Sequence, residues 1–265
     1  MKYQKYPKLR LAFLISLAFF ALMPLLYTIV NSFSDGSAYA LIPSRLSLQG
    51  YWEVLLRRPH YLKKFWNSLI LCVAIVAGQT AVSCLAGFGF SRFRFPGKDV
   101  LFFLVIIVMM MPYQVTLVSN YMILDRMGLV GSWFALVLPA IFSPFGVFLM
   151  RQVFDTCPNE FLEAARLDGA GSFRVLFSIL IPRSRSGLAS LVLLTFIDAW
   201  NMVEQPLVYL NDPYEYPLSV FLSQMNQGNV GVLCTCGVLA AIPVLLLFFY
   251  YDEDLADGIA LSQIH

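Results

Sequence analysis

Four polar side chains, Asp198, Asn201, Glu204 and Gln205, recur at spacings of one, three and four residues inside the otherwise apolar stretch "GLASLVLLTFIDAWNMVEQPLVYL". On a continuous helix Asp198, Asn201 and Gln205 share one face. Carboxylates and amides in such surroundings can do two things: line a wet passage for a hydrogen-bonding solute, or bond between helices. A third use is open to Asp198 and Glu204, which an ion-coupled secondary transporter would protonate and release. A second polar cluster lies just upstream, in "EFLEAARLDGAGSFRVLFSILIP" from Glu160 to Pro182, with Glu163 and Asp168 as fixed acceptors.

Enzymatic chemistry finds no such constellation. Only two histidines occur, His60 and His265, and neither has neighbours that would complete a metal site. The five cysteines, Cys72, Cys84, Cys157, Cys234 and Cys236, lack the spacing of a redox or zinc motif and read as small apolar fillers. No GxxxxGK[ST] loop is present to cradle a nucleotide, and the basic residues are too scattered for a nucleic-acid face. No catalytic residue, metal or cofactor is therefore expected, and no nucleic-acid partner.

The elements that must position these groups are membrane helices. Of 265 residues, 59% are hydrophobic and 13% charged, more grease than a soluble fold can bury. Charge-free runs cover residues 11–34, 65–91, 100–124, 127–150 and 216–251. Each exceeds the roughly 20 residues that cross a bilayer. With the stretch holding Asp198 they predict an all-α, polytopic membrane protein of six transmembrane helices, approximately 11–33, 66–90, 100–123, 132–150, 186–209 and 230–250, in a single domain over 1–265. The first run follows Lys2, Lys5, Lys8 and Arg10, but it is too long and too far from "SAYA" for a cleaved signal. An even number of spans puts both termini on one side. Counting Lys and Arg with the N-terminus inside gives twelve on the inner segments and six outside, five of them crowded between Arg45 and Lys64. Both termini are thus expected in the cytoplasm. Pro112, Pro139 and Pro144 predict kinks in the third and fourth spans.

The segment 151–185 is the one long stretch between the first and last spans suited to water. Pro158 fits the first turn of a helix, Glu160 and Glu163 favour its positive end, and Gly169 supplies the left-handed residue that closes it. Ser172 is placed to cap a second helix with an apolar face of Phe173, Leu176, Phe177, Leu180 and Ile181, which Pro182 stops. The small side chains of Ala164 and Ala165 allow another protein to approach closely. The plainer account is a solvated face on which Glu163 pairs with Arg166.

The residues Glu163, Ala164, Ala165, Gly169, Ile179 and Pro182 fall in register with the EAA signature, E-A-A-x-x-x-G-x9-I-x-L-P, with Ile181 in place of the usual Leu. By it the chain resembles the integral membrane permeases of binding-protein-dependent ABC importers. "NSL" at Asn67, "FSRFRFPGK" at Phe90, "MMMPYQVTLVSNYMIL" at Met109, "AWNMVEQPLVYL" at Ala199 and "GIALSQIH" are similar to the carbohydrate, maltose-type branch. Ser186 in place of a common Pro, the acidic Asp198 and Glu204, and the tail "YYDEDLADG" depart from it. The resemblance implies a bacterial cytoplasmic (inner) membrane permease that forms half of the pathway for a sugar or sugar-like small molecule. It implies a cytoplasmic EAA coupling helix in which Glu163, Ala164, Ala165, Asp168 and Gly169 meet a separate ATP-binding cassette subunit. A second homologous permease, an external or periplasmic solute-binding protein and membrane lipid complete the implied partners. Asp198, Asn201 and Gln205 are the candidates for the substrate pathway.

Overall fold

The computed structural model describes residues 7–34, 45–57, 59–225 and 230–254. Among them the secondary structure is helical, apart from one bridge between Ser34 and Leu46. Besides the short helical turns Gln49–Trp52, Glu53–Arg57 and Pro213–Glu215, the helices are α1 (Pro7–Ser32), α2 (Pro59–Arg92), α3 (Lys98–Met109), α4 (Tyr113–Arg126), α5 (Phe134–Ile141), α6 (Pro144–Asp155), α7 (Asn159–Leu167), α8 (Ser172–Arg183), α9 (Arg185–Trp200), α10 (Glu204–Tyr209), α11 (Leu218–Ser223) and α12 (Val230–Tyr250). Four stretches are long and apolar enough to cross a membrane: Leu11–Ser32, His60–Arg92, Phe134–Asp155 and Val230–Tyr250. Two bent pairs, α3 with α4 and α8 with α9, raise that to six when each is read as one broken span.

The chain divides into two compact units, Met1–Lys63 with Leu222–Ile242, and Lys64–Phe221 with Pro243–His265. In the first, the apolar window of α1 buries nothing against the protein, so Phe13, Phe19 and Phe20 need a non-aqueous surrounding. Its far end is tied down by polar bonds. Ser32 Oγ lies 2.8 Å from the Tyr51 hydroxyl, and Thr235 Oγ1 donates to the Ser32 carbonyl at 3.1 Å. The Tyr61 hydroxyl donates to the Cys236 carbonyl at 3.3 Å. In hydrocarbon such groups cannot be left to water, so each bond fixes where a helix sits.

The second unit holds the polar segments. There α3 and α9 both pack on α6, and α10 packs on α4 and α5. Phe102 of α3 stacks on Phe148 of α6 with ring centroids 6.1 Å apart. Close approach of α2 to α6 depends on small residues: a Cβ on Gly87 would stand 2.8 Å from Met150 Cβ and 2.9 Å from the Arg151 nitrogen. Lipid tails are as apolar as Leu, so membrane helices adhere by packing, which small residues make intimate.

The breaks differ from the sequence reading in two places. The fifth span does not run 186–209 as one helix: α9 ends at Trp200, and α10 starts afresh at Glu204. Pro206 lies buried in the first turn of α10, where its missing amide donor is not needed and its carbonyl accepts from the Leu210 nitrogen. In the third span the axis turns by 106° between Met109 and Tyr113, with Pro112 at the N-cap of α4. Pro139 sits inside α5, and Pro144 begins α6, whose first turn has no need of its missing donor. The five cysteines are free and buried.

Gly87→Ala tests the packing. An alanine gains about 1 kcal/mol of helix propensity, but here it meets backbone that cannot step aside, at a cost of about 1–3 kcal/mol. The thermal midpoint of the detergent-solubilised protein is expected to fall with Gly87→Ala and not with Gly89→Ala, whose Cβ would meet nothing within 4 Å.

Candidate functional site

Helix α7 presents two faces. Leu162 is 4% exposed and joins Cys84, Phe88, Met150, Phe154, Val175, Leu176, Leu180 and Leu191 in one apolar cluster, with Ala165 packed at its margin. The opposite face is bare: Glu160, Glu163, Ala164, Asp168 and Gly169 are all exposed, and Leu167 is 90% exposed. A charged and apolar crest thus stands on a seat made from α2, α6, α8 and α9. Sequence reasoning passed over Leu167. Its signal was a large apolar residue on the polar side of an amphipathic helix, between Glu163 and Asp168.

The crest ends in a left-handed turn. Gly169 has φ +79°, the Ala170 nitrogen donates to the Ala165 carbonyl at 2.9 Å, and the Asp168 nitrogen donates to the Ala164 carbonyl at 3.1 Å. These bonds satisfy carbonyls the helix would otherwise leave open. The guanidinium of Arg183 lies 4.4 Å over the Phe161 ring, adding a tie from α8 back to α7.

Helix α8 corrects three sequence expectations. Gly171, not Ser172, occupies the N-cap, and no side chain caps the helix. Pro182 does not stop it. A widened turn over Leu176–Leu180 precedes the proline, which then falls in the first residues of a new turn where no amide donor is required. The helix therefore reaches Arg183, and the chain swings by 83° into α9 at Ser184. Of the predicted apolar face, Leu176 and Leu180 are fully buried and Ile181 half-buried, whereas Phe173 and Phe177 are exposed and Val175 is buried instead.

The second polar set is split by the break after Trp200. Asp198 is exposed on the last turn of α9, and among the described residues no hydrogen bond or ion pair holds its carboxylate. Asn201 stands at the C-cap, its side-chain amide donating to the Ile197 carbonyl at 2.8 Å. Gln205 is half-buried on α10. The three do not share a helical face, and Asn201 spends a donor on closing its own helix. Glu204, on the first turn of α10, lies within electrostatic reach of the Tyr113 hydroxyl. That hydroxyl is 2.9 Å from the buried Tyr209 hydroxyl, which also donates to the Leu117 carbonyl at 3.3 Å. Two tyrosines thus fasten α10 to α4, a pairing that separations of about a hundred residues hide from the sequence.

The loop after α10 is strapped to the start of α2. Lys64 donates to the Pro213 carbonyl, Asn67 Nδ2 to the Tyr214 carbonyl at 3.0 Å, and Ser68 Oγ accepts from the Leu218 nitrogen at 2.7 Å. The "NSL" motif therefore holds a loop. A cavity of about 770 Å³ lies among α2, α8, α9 and the end of α12, walled by Val73, Leu176, Val192, Phe196 and Leu246. Its one buried hydroxyl, Thr80 Oγ1, has no partner. Such walls cannot supply the donors and acceptors a polar solute requires. Among the described residues no three His, Cys, Asp or Glu side chains come together to hold a metal.

A family model for the binding-protein-dependent transport system inner membrane component matches residues 79–252. The chain is 31% identical over 263 residues to the maltodextrin transport system permease protein MdxG of Bacillus subtilis, covering 93% of this chain and 92% of that protein. It is 28% identical over 258 residues to the arabinooligosaccharides transport system permease protein AraQ of Halalkalibacterium halodurans, covering 94% and 92%. It is 30% identical over 203 residues to the sn-glycerol-3-phosphate transport system permease protein UgpE of Brucella abortus, covering 75% and 72%. Among solved structures, a chain of a bacterial ABC transporter involved in the import of the acidic polysaccharide alginate superposes with TM-score 0.82 at 23% identity, over 92% of this chain and 94% of that one. It shares the fold.

Gly169 carries the sharpest prediction of local order. A Cβ there meets no atom within 4 Å, so Gly169→Ala isolates the cost of the left-handed backbone, about 1–2 kcal/mol. Amide hydrogen exchange at Asp168 and Ala170 is expected to quicken about tenfold, with exchange in α9 unchanged.

Proposed function

The chain belongs to the family of binding-protein-dependent transport system inner membrane components, and from that membership we propose that it is one of two permease subunits of an ATP-driven importer. It is a multi-pass inner-membrane transport protein and not an enzyme. A separate ATP-binding cassette subunit supplies hydrolysis and a second homologous permease supplies the other half of the pathway. An external solute-binding protein delivers the cargo. The relatives' names point to a sugar or sugar-like solute, since they specify maltodextrin, arabinooligosaccharides and sn-glycerol-3-phosphate.

The observation that carries this reading is the exposed crest of α7. Glu163, Ala164, Leu167, Asp168 and Gly169 face away from the chain, while Leu162 and Ala165 anchor the same helix in the cluster beneath. A surface left bare on a firmly seated helix suits reversible pressure from a partner. Leu167 supplies apolar area, Ala164 the close approach, and Glu163 and Asp168 acceptors for basic or polar groups of the ATPase. When two ATPase subunits close on ATP, each pushes its crest, and the seat carries the push to α2, α6 and α9. Rigid-body motion of helices then alternates access across the bilayer.

On the pathway side, Asp198 and Gln205 are the residues assigned to solute, with Asn201 shaping the break between them. Support comes from the Asp198 carboxylate at a helix end, which has no partner among the described residues and as an unpaired charge needs water or a polar ligand. The apolar cavity against α8 and α9 is left out of the solute route. Membership in a binding-protein-dependent family sets aside the ion-coupled use of Asp198 and Glu204.

Leu167→Glu tests the coupling role with little risk to the fold, because the side chain is 90% exposed. The ATPase recovered with the chain in mild detergent is expected to drop about tenfold or more, the loss of one buried Leu at about 1.5–3 kcal/mol plus a buried charge. The amount of membrane-inserted chain should not change. Undiminished ATPase recovery with both Leu167→Glu and Glu163→Lys would overturn the assignment.

A further inference from the structure

We propose that Arg92, the last residue of α2, is the positioning residue that makes α7 and α2 move as one body, an inference that rests on the importer reading above. Its guanidinium reaches three places on another part of the chain. Nη1 donates to Asn159 Oδ1 at 2.5 Å, and Nη2 donates to the Cys157 carbonyl at 2.7 Å and to the Phe154 carbonyl. Phe154 lies in the last turn of α6, Cys157 in the connection, and Asn159 is the first residue of α7. One planar fork therefore binds the end of α6, the turn and the start of the coupling helix from the end of a 34-residue helix.

The chemistry suits a strut. The Phe154 carbonyl stands at the negative end of the α6 dipole and takes a bond from the Cys157 nitrogen at 3.1 Å, leaving a lone pair that a cation with fixed donor directions can use. Beside it, Ser91 Oγ donates to Asp155 Oδ1 at 2.6 Å, and Asp155 Oδ2 lies 3.6 Å from Arg151 Nε. The Arg151 guanidinium sits 3.6 Å over the Phe102 ring of α3. This polar lattice joins α2, α3, α6 and the start of α7.

Other attachments of α7 are of a different kind. Leu162 and Ala165 make apolar contacts, and Phe161 lies under Arg183. Apolar contacts are non-directional and allow a helix to slide or roll by a fraction of a turn. The Arg92 fork is directional, and displacement of Asn159 breaks it or pulls α2 along. A push on the crest thus reaches the membrane through the start of α7. Arg94, two residues on, is exposed and has no partner among the described residues, so the two arginines of "FSRFRFPGK" differ in role.

The test uses the chain assembled with its ATPase and sister permease in lipid vesicles. Nitroxide labels attached through Ile70→Cys on α2 and Glu160→Cys on α7, both exposed positions, report the distance between the two helices by pulsed electron resonance with and without ATP. The unmodified assembly is expected to hold one distance in both states. Arg92→Ala should retain the ATPase and its hydrolysis, yet show a shifted and broadened distance once ATP is added. Uptake of maltodextrin, arabinooligosaccharide or sn-glycerol-3-phosphate per ATP hydrolysed should fall about tenfold in any of the three that the unmodified assembly imports. Arg92→Lys, a point charge without the fork, should restore part of the coupling, and Arg94→Ala should match the unmodified protein. Where Arg92→Ala fails to assemble, Asn159→Ala removes one limb of the fork and should broaden the same distance. An ATP-independent distance in both Arg92→Ala and Asn159→Ala overturns the strut. Recovery of no ATPase with the unmodified chain overturns the importer reading instead.

Discussion

The seat beneath α7 is the contact that orders the whole connection between α6 and α9. Leu162 enters it from α7 and Val175, Leu176 and Leu180 from α8, while Phe88, Met150, Phe154 and Leu191 enter from α2, α6 and α9. Burial of several large apolar side chains, each worth about 1.5–3 kcal/mol, fixes a short helix that could not stand alone in water. Nine residues make α7, fewer than an isolated helix needs. Its order is borrowed from the helices under it, and on the proposed reading that makes it a handle, force on the crest passing into the seat and the Arg92 fork.

Breaks in the helices give that force something to move. Where α8 meets α9 the axis turns by 83° at Ser184, and where α3 meets α4 it turns by 106° at Pro112. A straight helix transmits a push along its axis only, whereas an angled pair converts a push parallel to the membrane into tilt across it. The widened turn over Leu176–Leu180 lies between the seat and the Ser184 bend. Such turns accommodate one residue more than a regular helix and mark places where a helix can change register. Both breaks occur inside segments apolar enough to be spans, and this is tolerable only because surrounding helices shield the freed backbone groups.

Legibility in the sequence followed the range of the interactions. The membrane class came from uninterrupted apolar runs, and the α7–α8 segment came from local signals: a glycine at the left-handed position, acidic residues at the helix start and an apolar periodicity after it. Gly169 behaves as those signals require. Periodicity failed where a local rule met a longer-range one. A face drawn through Asp198, Asn201 and Gln205 presumed a continuous helix, but Pro206 and the strapped loop behind it favour a fresh start at Glu204. Ser172 had the chemistry of a cap, yet Gly171 already held the extended conformation that precedes the first turn. The Arg92 fork and the Tyr113–Tyr209 pair join residues more than sixty apart, and two of the fork's three bonds end on backbone carbonyls, which look the same in every residue. No pattern of letters encodes such partners.

The polar groups left without partners bear on why one chain is half a device. Among the described residues Thr80 Oγ1, Ser83 Oγ and Thr195 Oγ1 are buried and unpaired, and nothing pairs the Asp198 carboxylate at the end of a helix in an apolar segment. A buried hydroxyl without a partner costs about 1–3 kcal/mol, and a carboxylate in hydrocarbon costs more, so lipid cannot be what finally covers Asp198. Water or a polar surface must. The large cavity cannot provide that cover, since its walls are apolar. On the proposed reading the missing surface is the sister permease and the wet pathway it shares with this chain. The carboxylate that looks misplaced in an isolated subunit then stands where two subunits and a hydrated solute would meet.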